Sequence, residues 1–383
     1  MKIYIAAYNK VSNQQLKSAK SAFMEKFRGV QQSELVDEDP EIIWFITGGS
    51  EHNALEQIEP QKRYCFIANQ DDNSWAAATE VKALLNEKGI KTRIFNYDLL
   101  ESLEDLYVFF EEGEEYQTTH LAMIGKPESW LVSSVPDYDL LEEVLGIKIL
   151  EFDWQDVLNQ DEFSDNDSFD KYFGKHEFAD FGKNRSMFNK LMNLISVEGV
   201  SALSFACFDF VEQNEYTACL PVAALNTMNI PATCEGDLCA AAGMIVLSRL
   251  KGIVPWMANI NYIDKEYAIF SHCTAGLDFI NDFKINTHYE SGKGSAINGE
   301  AKGGQVTIFR LDHQLEYCYL SLGELVDSGD FITGCRTQVK IKMSSKDLFL
   351  LREFPLGNHH LIAHGDVTDP LIEYFTNKGF RIV

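Results

Sequence analysis

Ile230-Pro231-Ala232-Thr233-Cys234-Glu235-Gly236-Asp237 runs straight into Leu238-Cys239-Ala240-Ala241-Ala242-Gly243-Met244. Residues 230–234 read as a short strand. Residues 238–250 are rich in Ala and apolar all round, so they read as a helix with no solvent face. Two carboxylates stand between them on a Glu-Gly-Asp turn. A strand that hands ionisable groups to a helix is how an α/β sheet builds ligand sites at the carboxyl ends of its strands. Glu235 is read as a site residue. Asp237, directly before Leu238, is equally a helix cap.

The same alternation extends upstream. Residues 2–8, 42–48, 64–69 and 91–96 read as buried strands, with helical patterns over 14–27 and 76–87. A second α/β unit begins near His120: strand 121–125, helix 140–145, strand 147–152, an acidic exposed loop over 159–170, helix 185–195, strand 200–209 and helix 217–228. Strands alternating with helices imply a parallel sheet with helices on its faces. After Gly252 the pattern changes to strand-like pieces at 268–270, 305–310, 318–322 and 338–342. Gly-rich turns at 290–294 and 302–304 separate them. That predicts an antiparallel β domain or partial barrel, closed by a helix over 370–378 and a strand over 380–383. Three domains follow: 1–115, 116–252 and 253–383.

The chain has 383 residues, 45% of them hydrophobic and 12% aromatic, which suits a globular protein with a substantial core. Asp and Glu outnumber Lys and Arg 58 to 33, for a formal charge of -25. An acidic surface repels nucleic-acid backbones and anionic membranes, so neither is expected as a main partner. No apolar stretch approaches the roughly 20 residues of a membrane span. Met1-Lys2-Ile3-Tyr4-Ile5 reads as a first strand and not as a leader. Eight cysteines carry no C-x-x-C pair. Reduced thiols and a cytoplasmic location are expected.

Two further segments pair with Glu235. Ser271-His272-Cys273-Thr274 follows the apolar Ala268-Ile269-Phe270, and Gly357-Asn358-His359-His360 follows Pro355-Leu356. A carboxylate from one segment and imidazoles from the others make an oxygen and nitrogen donor set for one divalent cation. Such an ion polarises a carbonyl and a neighbouring hydroxyl of a sugar. Adjacent histidines on an extended chain face opposite ways. One of His359 and His360 can then meet a metal while the other packs or bonds to substrate; the alternatives are a turn with two surface histidines and, for His272, a structural histidine. Trp130 is a candidate sugar platform, with a core or interface role as its alternative. Cys234, Cys239 and Cys273 flank the site. Thiolates there would favour zinc, but small apolar filler is the simpler reading. Gly292-Lys293-Gly294 and Gly303-Gly304 lack the strand–helix setting of a phosphate loop and read as hairpin turns.

Taken in order, Gly125-Lys126-Pro127-Glu128-Ser129-Trp130-Leu131, Cys207-Phe208-Asp209, Thr217-Ala218-Cys219-Leu220, Asn229-Ile230-Pro231-Ala232, Cys234-Glu235-Gly236-Asp237, Ser271-His272-Cys273-Thr274, His288-Tyr289-Glu290-Ser291-Gly292-Lys293-Gly294, Val306-Thr307-Ile308 and Pro355-Leu356-Gly357-Asn358-His359-His360 resemble the L-fucose isomerase-like family, related to L-arabinose isomerase. The resemblance runs from about residue 120 to 366. It implies an α/β fold of two Rossmann-like, doubly wound parallel-sheet domains and a C-terminal antiparallel β-barrel-like domain. It also implies a Mn2+-dependent aldose–ketose isomerase acting through an ene-diol, and a homo-oligomer. Mn2+ or another divalent cation would be held by Glu235, Asn259, His272 and His359. Glu235 and Asp237 would serve as catalytic carboxylates, and Trp130, Asp209 and His360 would bind the sugar.

One departure stands out. The family's second acidic ligand belongs about two dozen residues past the first, where this chain has Asn259, 24 residues beyond Glu235. A carboxamide offers a metal its oxygen but is no base at neutral pH. Asp237 or Asp209 would then replace it, or Glu235 would act alone. The alternatives are a sugar-binding or regulatory relative without catalysis, and another metal-dependent sugar enzyme on the same scaffold.

Overall fold

The computed structural model describes residues 1–106, 118–163 and 167–383. The chain forms two compact units, Met1–Glu115 and Tyr116–Val383. The expected boundary at 115–116 lies outside the described residues.

In the first unit, β1 (Ile3–Ala6), α1 (Asn13–Lys26), β2 (Ile42–Phe45), α2 (Glu51–Leu55), β3 (Tyr64–Ala68), α3 (Ser74–Glu87) and β4 (Thr92–Asn96) alternate. The strands are parallel, in the order β1-β2-β3-β4. A single parallel bridge from Ile3 to Leu35 flanks β1 on its other edge. Ile42, Trp44, Cys65 and Ile67 pack with Phe23 and Phe27 on one face. Ile43, Phe45, Tyr64 and Phe66 pack with Ala54, Val81 and Leu85 on the other. Successive strand residues point to opposite faces, so a sheet covered on both sides needs the unbroken apolar runs seen here.

The second unit begins with β5 (Thr119–Ile124), α4 (Tyr138–Leu145), β6 (Ile147–Phe152), α5 (Trp154–Leu158), α6 (Ser168–Phe173) and α7 (Phe181–Glu198). It continues with β7 (Ala202–Phe205), α8 (Phe208–Asn214), α9 (Cys219–Thr227), β8 (Ala232–Cys234) and α10 (Leu238–Lys251). Its strands are parallel, in the order β6-β5-β7-β8. The order in which successive strands join the sheet reverses between β5 and β7, and the crevice outside the strand ends at such a point is where open α/β sheets bind ligands. The strand expected over 200–209 ends at Phe205, and Phe208 and Asp209 open α8. Periodicity alone does not separate short apolar strands from buried helical turns. The acidic loop expected over 159–170 gives way to α6 at Ser168, with 164–166 outside the described residues.

The remainder is β9 (Trp256–Ile263), β10 (Tyr267–His272), β11 (Ile280–Asn286), β12 (Ala296–Ala301), β13 (Gly304–Leu311), β14 (Tyr317–Ser328), β15 (Thr337–Met343), α11 (Ser345–Glu353), β16 (His359–His364), α12 (Thr368–Asn377) and β17 (Arg381–Ile382). Strands β13-β16-β9-β10-β15-β14 are antiparallel, and β13 also pairs with β14, so six strands close into a barrel. Closure leaves no unpaired edge. Strands β9, β11, β12 and β16 are absent from the sequence reading. Asn259, Asn261, Asn286 and Asn298 lower the strand propensity of β9, β11 and β12, and pairing with neighbours overrides it.

Helix α10 ties the parallel sheet to the barrel. Residues 238–247 are all buried, and the helix packs against β7 and β8 as well as β13 and β16. Both layers contribute to one hydrophobic core. A helix clamped between two sheets has no face left for water, hence its all-round apolar sequence.

Candidate metal centre

Three loops from the parallel sheet meet at the carboxyl ends of β5, β7 and β8. Glu235 follows β8 with φ 63°, the left-handed region, and Gly236 continues at φ 75°. Left-handed backbone costs a non-glycine residue about 1–2 kcal/mol. Gly236 is required here, because a Cβ would sit 2.5 Å from the Pro127 Cα. The Glu128 N–H donates to the Glu235 carbonyl at 2.9 Å, and the Trp130 indole N–H donates to Glu235 Oε2 at 3.0 Å. Glu128 Oε1 in turn accepts from the Phe208 N–H at 3.0 Å, and Trp130 meets the Phe208 ring edge-on at 4.8 Å. Trp130 is 51% exposed, so one side of the indole is open to a ligand.

The barrel supplies the histidines. His272 ends β10 and His359 begins β16, both nearly fully buried. Glu235 Oε1 lies 3.7 Å from His272 Nε2 and 3.6 Å from His359 Nε2. Neither Nε2 has a hydrogen-bond partner among the described residues. A buried ring nitrogen without a partner is costly, and 3.6–3.7 Å is too long for a hydrogen bond. The spacing suits donors around one ion. Two ligands about 2.1 Å from a metal, at 90–120° to each other, lie roughly 3.0–3.6 Å apart. The donor atoms of Glu235, His272 and His359 all fall within 4.8 Å of one another. The far nitrogens are occupied: His272 Nδ1 meets Thr274 Oγ1 at 3.1 Å, and His359 Nδ1 meets Asp237 Oδ2 at 2.9 Å. Holding the outer nitrogen in this way aims the inner one.

Asp237 takes the capping role and makes two further contacts, with His359 and Arg310. It caps α10 by accepting from the Ala240 N–H at 2.7 Å, orients His359, and lies 3.5 Å from the buried guanidinium of Arg310. Burial opposes its ionisation, but Arg310 and His359 outweigh it and hold the carboxyl below its usual range. Burial opposes Glu235 too, and its two histidines again hold it low. Burial pushes His359 down, yet Asp237 and Glu235 together raise it to about 9.

His360 points elsewhere. It lies against Phe270 and Tyr319, its Nδ1 is 2.8 Å from the Asn358 carbonyl, and burial lowers its pKa to about 3. Asn259 pairs with His359 on one side and Ser271 on the other. Its carboxamide oxygen accepts from Asn358, and its nitrogen donates to Cys335 Sγ at 3.8 Å. Asp209 is exposed in the first turn of α8, and its charge acts on Glu128. Geometry thus gathers Glu235, His272, His359, Asp237 and Trp130.

Two contributors went unread in the sequence. Glu128 lies inside the quoted 125–131 segment, at a strand's carboxyl end, which was its available signal. Burial, and then the charges of Asp209 and Glu235, raise its pKa, though the Phe208 amide works against them. Arg310 offered no signal, being one Arg at the end of an apolar strand.

A proton on His359 must leave before a cation binds. Its raised pKa means the metal-free protein holds that proton below about pH 9. Apparent cation affinity should therefore fall about tenfold per pH unit as pH drops below 9. Titrations at pH 7 and 8 that give equal affinities would contradict this.

No family model matches the chain. It is 24% identical over 293 residues to a sulfoquinovose isomerase of Alkalicoccus urumqiensis, covering 71% of this chain and 66% of that protein. It is 28% identical over 190 residues to sulfoquinovose isomerases of Priestia aryabhattai and Priestia megaterium, covering 47% of this chain and 43% of each. The match thus spans less than two thirds of these relatives' length. Among the described residues no helix is long and apolar enough to cross a membrane. All three similar proteins carry the name sulfoquinovose isomerase.

Proposed function

We propose that this chain is a metal-dependent aldose–ketose isomerase of the L-fucose/L-arabinose type, with a sulfonated aldose as its first candidate substrate. The observation that carries the proposal is the pair of buried, unpartnered Nε2 atoms of His272 and His359 facing Glu235. Glu235, His272 and His359 would hold Mn2+ or another divalent cation. When bound, such an ion polarises a sugar carbonyl and its neighbouring hydroxyl. Asp237 fixes the ring of His359. Trp130 holds Glu235 through its indole N–H and offers its open face to the sugar. The choice of a sulfonated sugar comes from the names of the similar proteins.

Proton transfer between neighbouring carbons needs groups that accept and return a proton. Glu235 is one candidate. We assign Glu128 as the second, in place of the carboxylate missing at Asn259, because burial and two neighbouring carboxylates favour its protonated form. Glu128→Gln should lower kcat by about 100-fold or more while leaving cation binding intact. Trp130→Ala should raise KM more than it lowers kcat.

The test is conversion of sulfonated and plain aldoses by cation-loaded protein in heavy water, followed by NMR. Ketose formation with solvent deuterium in the product supports the proposal. Sugar binding with neither turnover nor exchange would instead favour the non-catalytic reading that Asn259 suggests. A homo-oligomer in the cytoplasm belongs to the same proposal.

A further inference from the structure

A second group of donors lies beside the first and plays no part in the reading above. Cys273, next in sequence to His272, is 2% exposed. Cys335, in the loop before β15, is 5% exposed. The two thiols and the carboxylate of Glu290 place their donor atoms within 4.8 Å of one another. Cys335 Sγ donates to Glu290 Oε1 at 3.0 Å. The other oxygen, Oε2, is 3.1 Å from His288 Nε2, whose Nδ1 meets Ser291 Oγ at 3.0 Å. The Asn259 amide donates to Cys335 Sγ at 3.8 Å. Two sulfurs and one carboxylate thus converge, with Cys335 and Glu290 each held by a polar neighbour. The sulfurs are buried, while Glu290 is exposed.

We propose that Cys273, Cys335 and Glu290 form a second cation site, selective for a soft borderline ion such as Zn2+. Thiolates prefer zinc over manganese, and three protein donors leave a fourth tetrahedral position for an exchangeable ligand. Binding releases the two thiol protons to solvent. Cys273 is then a ligand, not the apolar filler that the sequence suggests. Asn259 acquires a role as well: its amide N–H supports a thiolate, which a carboxylate at that position would repel. The site and the Glu235 centre share the end of β10 but no ligand, so each can be removed separately.

The probe is Co2+, added to chelator-stripped, thiol-reduced full-length protein. Cobalt–thiolate ligation produces a near-ultraviolet charge-transfer absorption that oxygen and nitrogen ligands do not. Wild type and Glu235→Gln should both show this band, and Zn2+ should displace it more effectively than Mn2+. Cys335→Ser should lose the band. Glu290→Gln, an exposed and conservative change, should keep it but weaken Co2+ binding at least tenfold. Unfolding curves of Cys335→Ser would confirm that it is folded. A wild-type protein without the band, or a band unchanged in folded Cys335→Ser, would overturn the site. Loss of the band in Glu235→Gln alone would assign the thiolate to the first centre and equally overturn it. Because Glu235→Gln retains this site, failure here and failure of the isomerase reading give different results.

Discussion

Chelator-stripped Glu235→Gln is expected to lose Mn2+ binding at the histidine centre by more than 100-fold. Among the described residues Glu235 is the one carboxylate within ion-pair distance of both Nε2 atoms, at 3.7 and 3.6 Å. Changing a neighbour that merely orients a ligand typically costs 10–100-fold in affinity, and removing a charged ligand should exceed that. Asp237→Asn, which leaves the donors in place but weakens the hold on His359 Nδ1, should fall within the 10–100-fold range. Calorimetry gives both affinities. Thermal melts give an independent reading, since an ion that binds only the folded state raises Tm with concentration. That rise should vanish in Glu235→Gln and persist, shifted to higher Mn2+, in Asp237→Asn. Equal binding by Glu235→Gln and wild type would remove the centre from consideration.

Arg310→Met should cost about 3–5 kcal/mol of stability, the largest loss we expect from a single change. Arg310 and Asp237 are 2% and 0% exposed. The guanidinium lies 3.5 Å from Asp237 Oδ2 and donates to the His359 carbonyl, to Ser133 O at 3.0 Å and to Ser134 Oγ at 2.7 Å. One side chain on β13 therefore joins the barrel, the 133–134 loop and the cap of α10. Without it, the buried carboxylate keeps, among the described residues, His359 and the cap amide, and removing one partner of a buried pair strands the other's charge. Gly357→Ala tests the same junction from the other side. Gly357 has φ +148°, and a Cβ there would lie 2.1 Å from Arg310 Nη2. Urea unfolding measures both variants. A loss below about 1 kcal/mol for Arg310→Met would mean that the pair is not what holds this junction.

Alternation of apolar runs with helical patterns was enough to read the parallel sheets, because strands covered on both faces must be apolar throughout. The barrel was harder. Only its most apolar strands were legible. Those carrying Asn259 and Asn261, or His359 and His360, are strands because neighbours on both sides supply their hydrogen bonds. The site followed the same division. Glu235 was legible from its place after a strand. Glu128 shared that placement but was overshadowed by the exposed Trp130 two residues on.

Residue chemistry and local order were determined by the sequence itself: a Glu-Gly-Asp turn between a strand and a buried helix, histidines after two apolar runs, and an Asn where a carboxylate was expected. Only the tertiary structure chose between His359 and His360, because alternation along β16 sends one ring to Glu235 and the other to Phe270 and Tyr319. It also gave Asp237 its second task, across 122 residues of chain, and brought Cys335 and Glu290 to Cys273. Such contacts depend on which strands pair and which groups leave water together. Both are settled by closing the barrel and packing it on α10, and neither is a property of any local stretch of sequence.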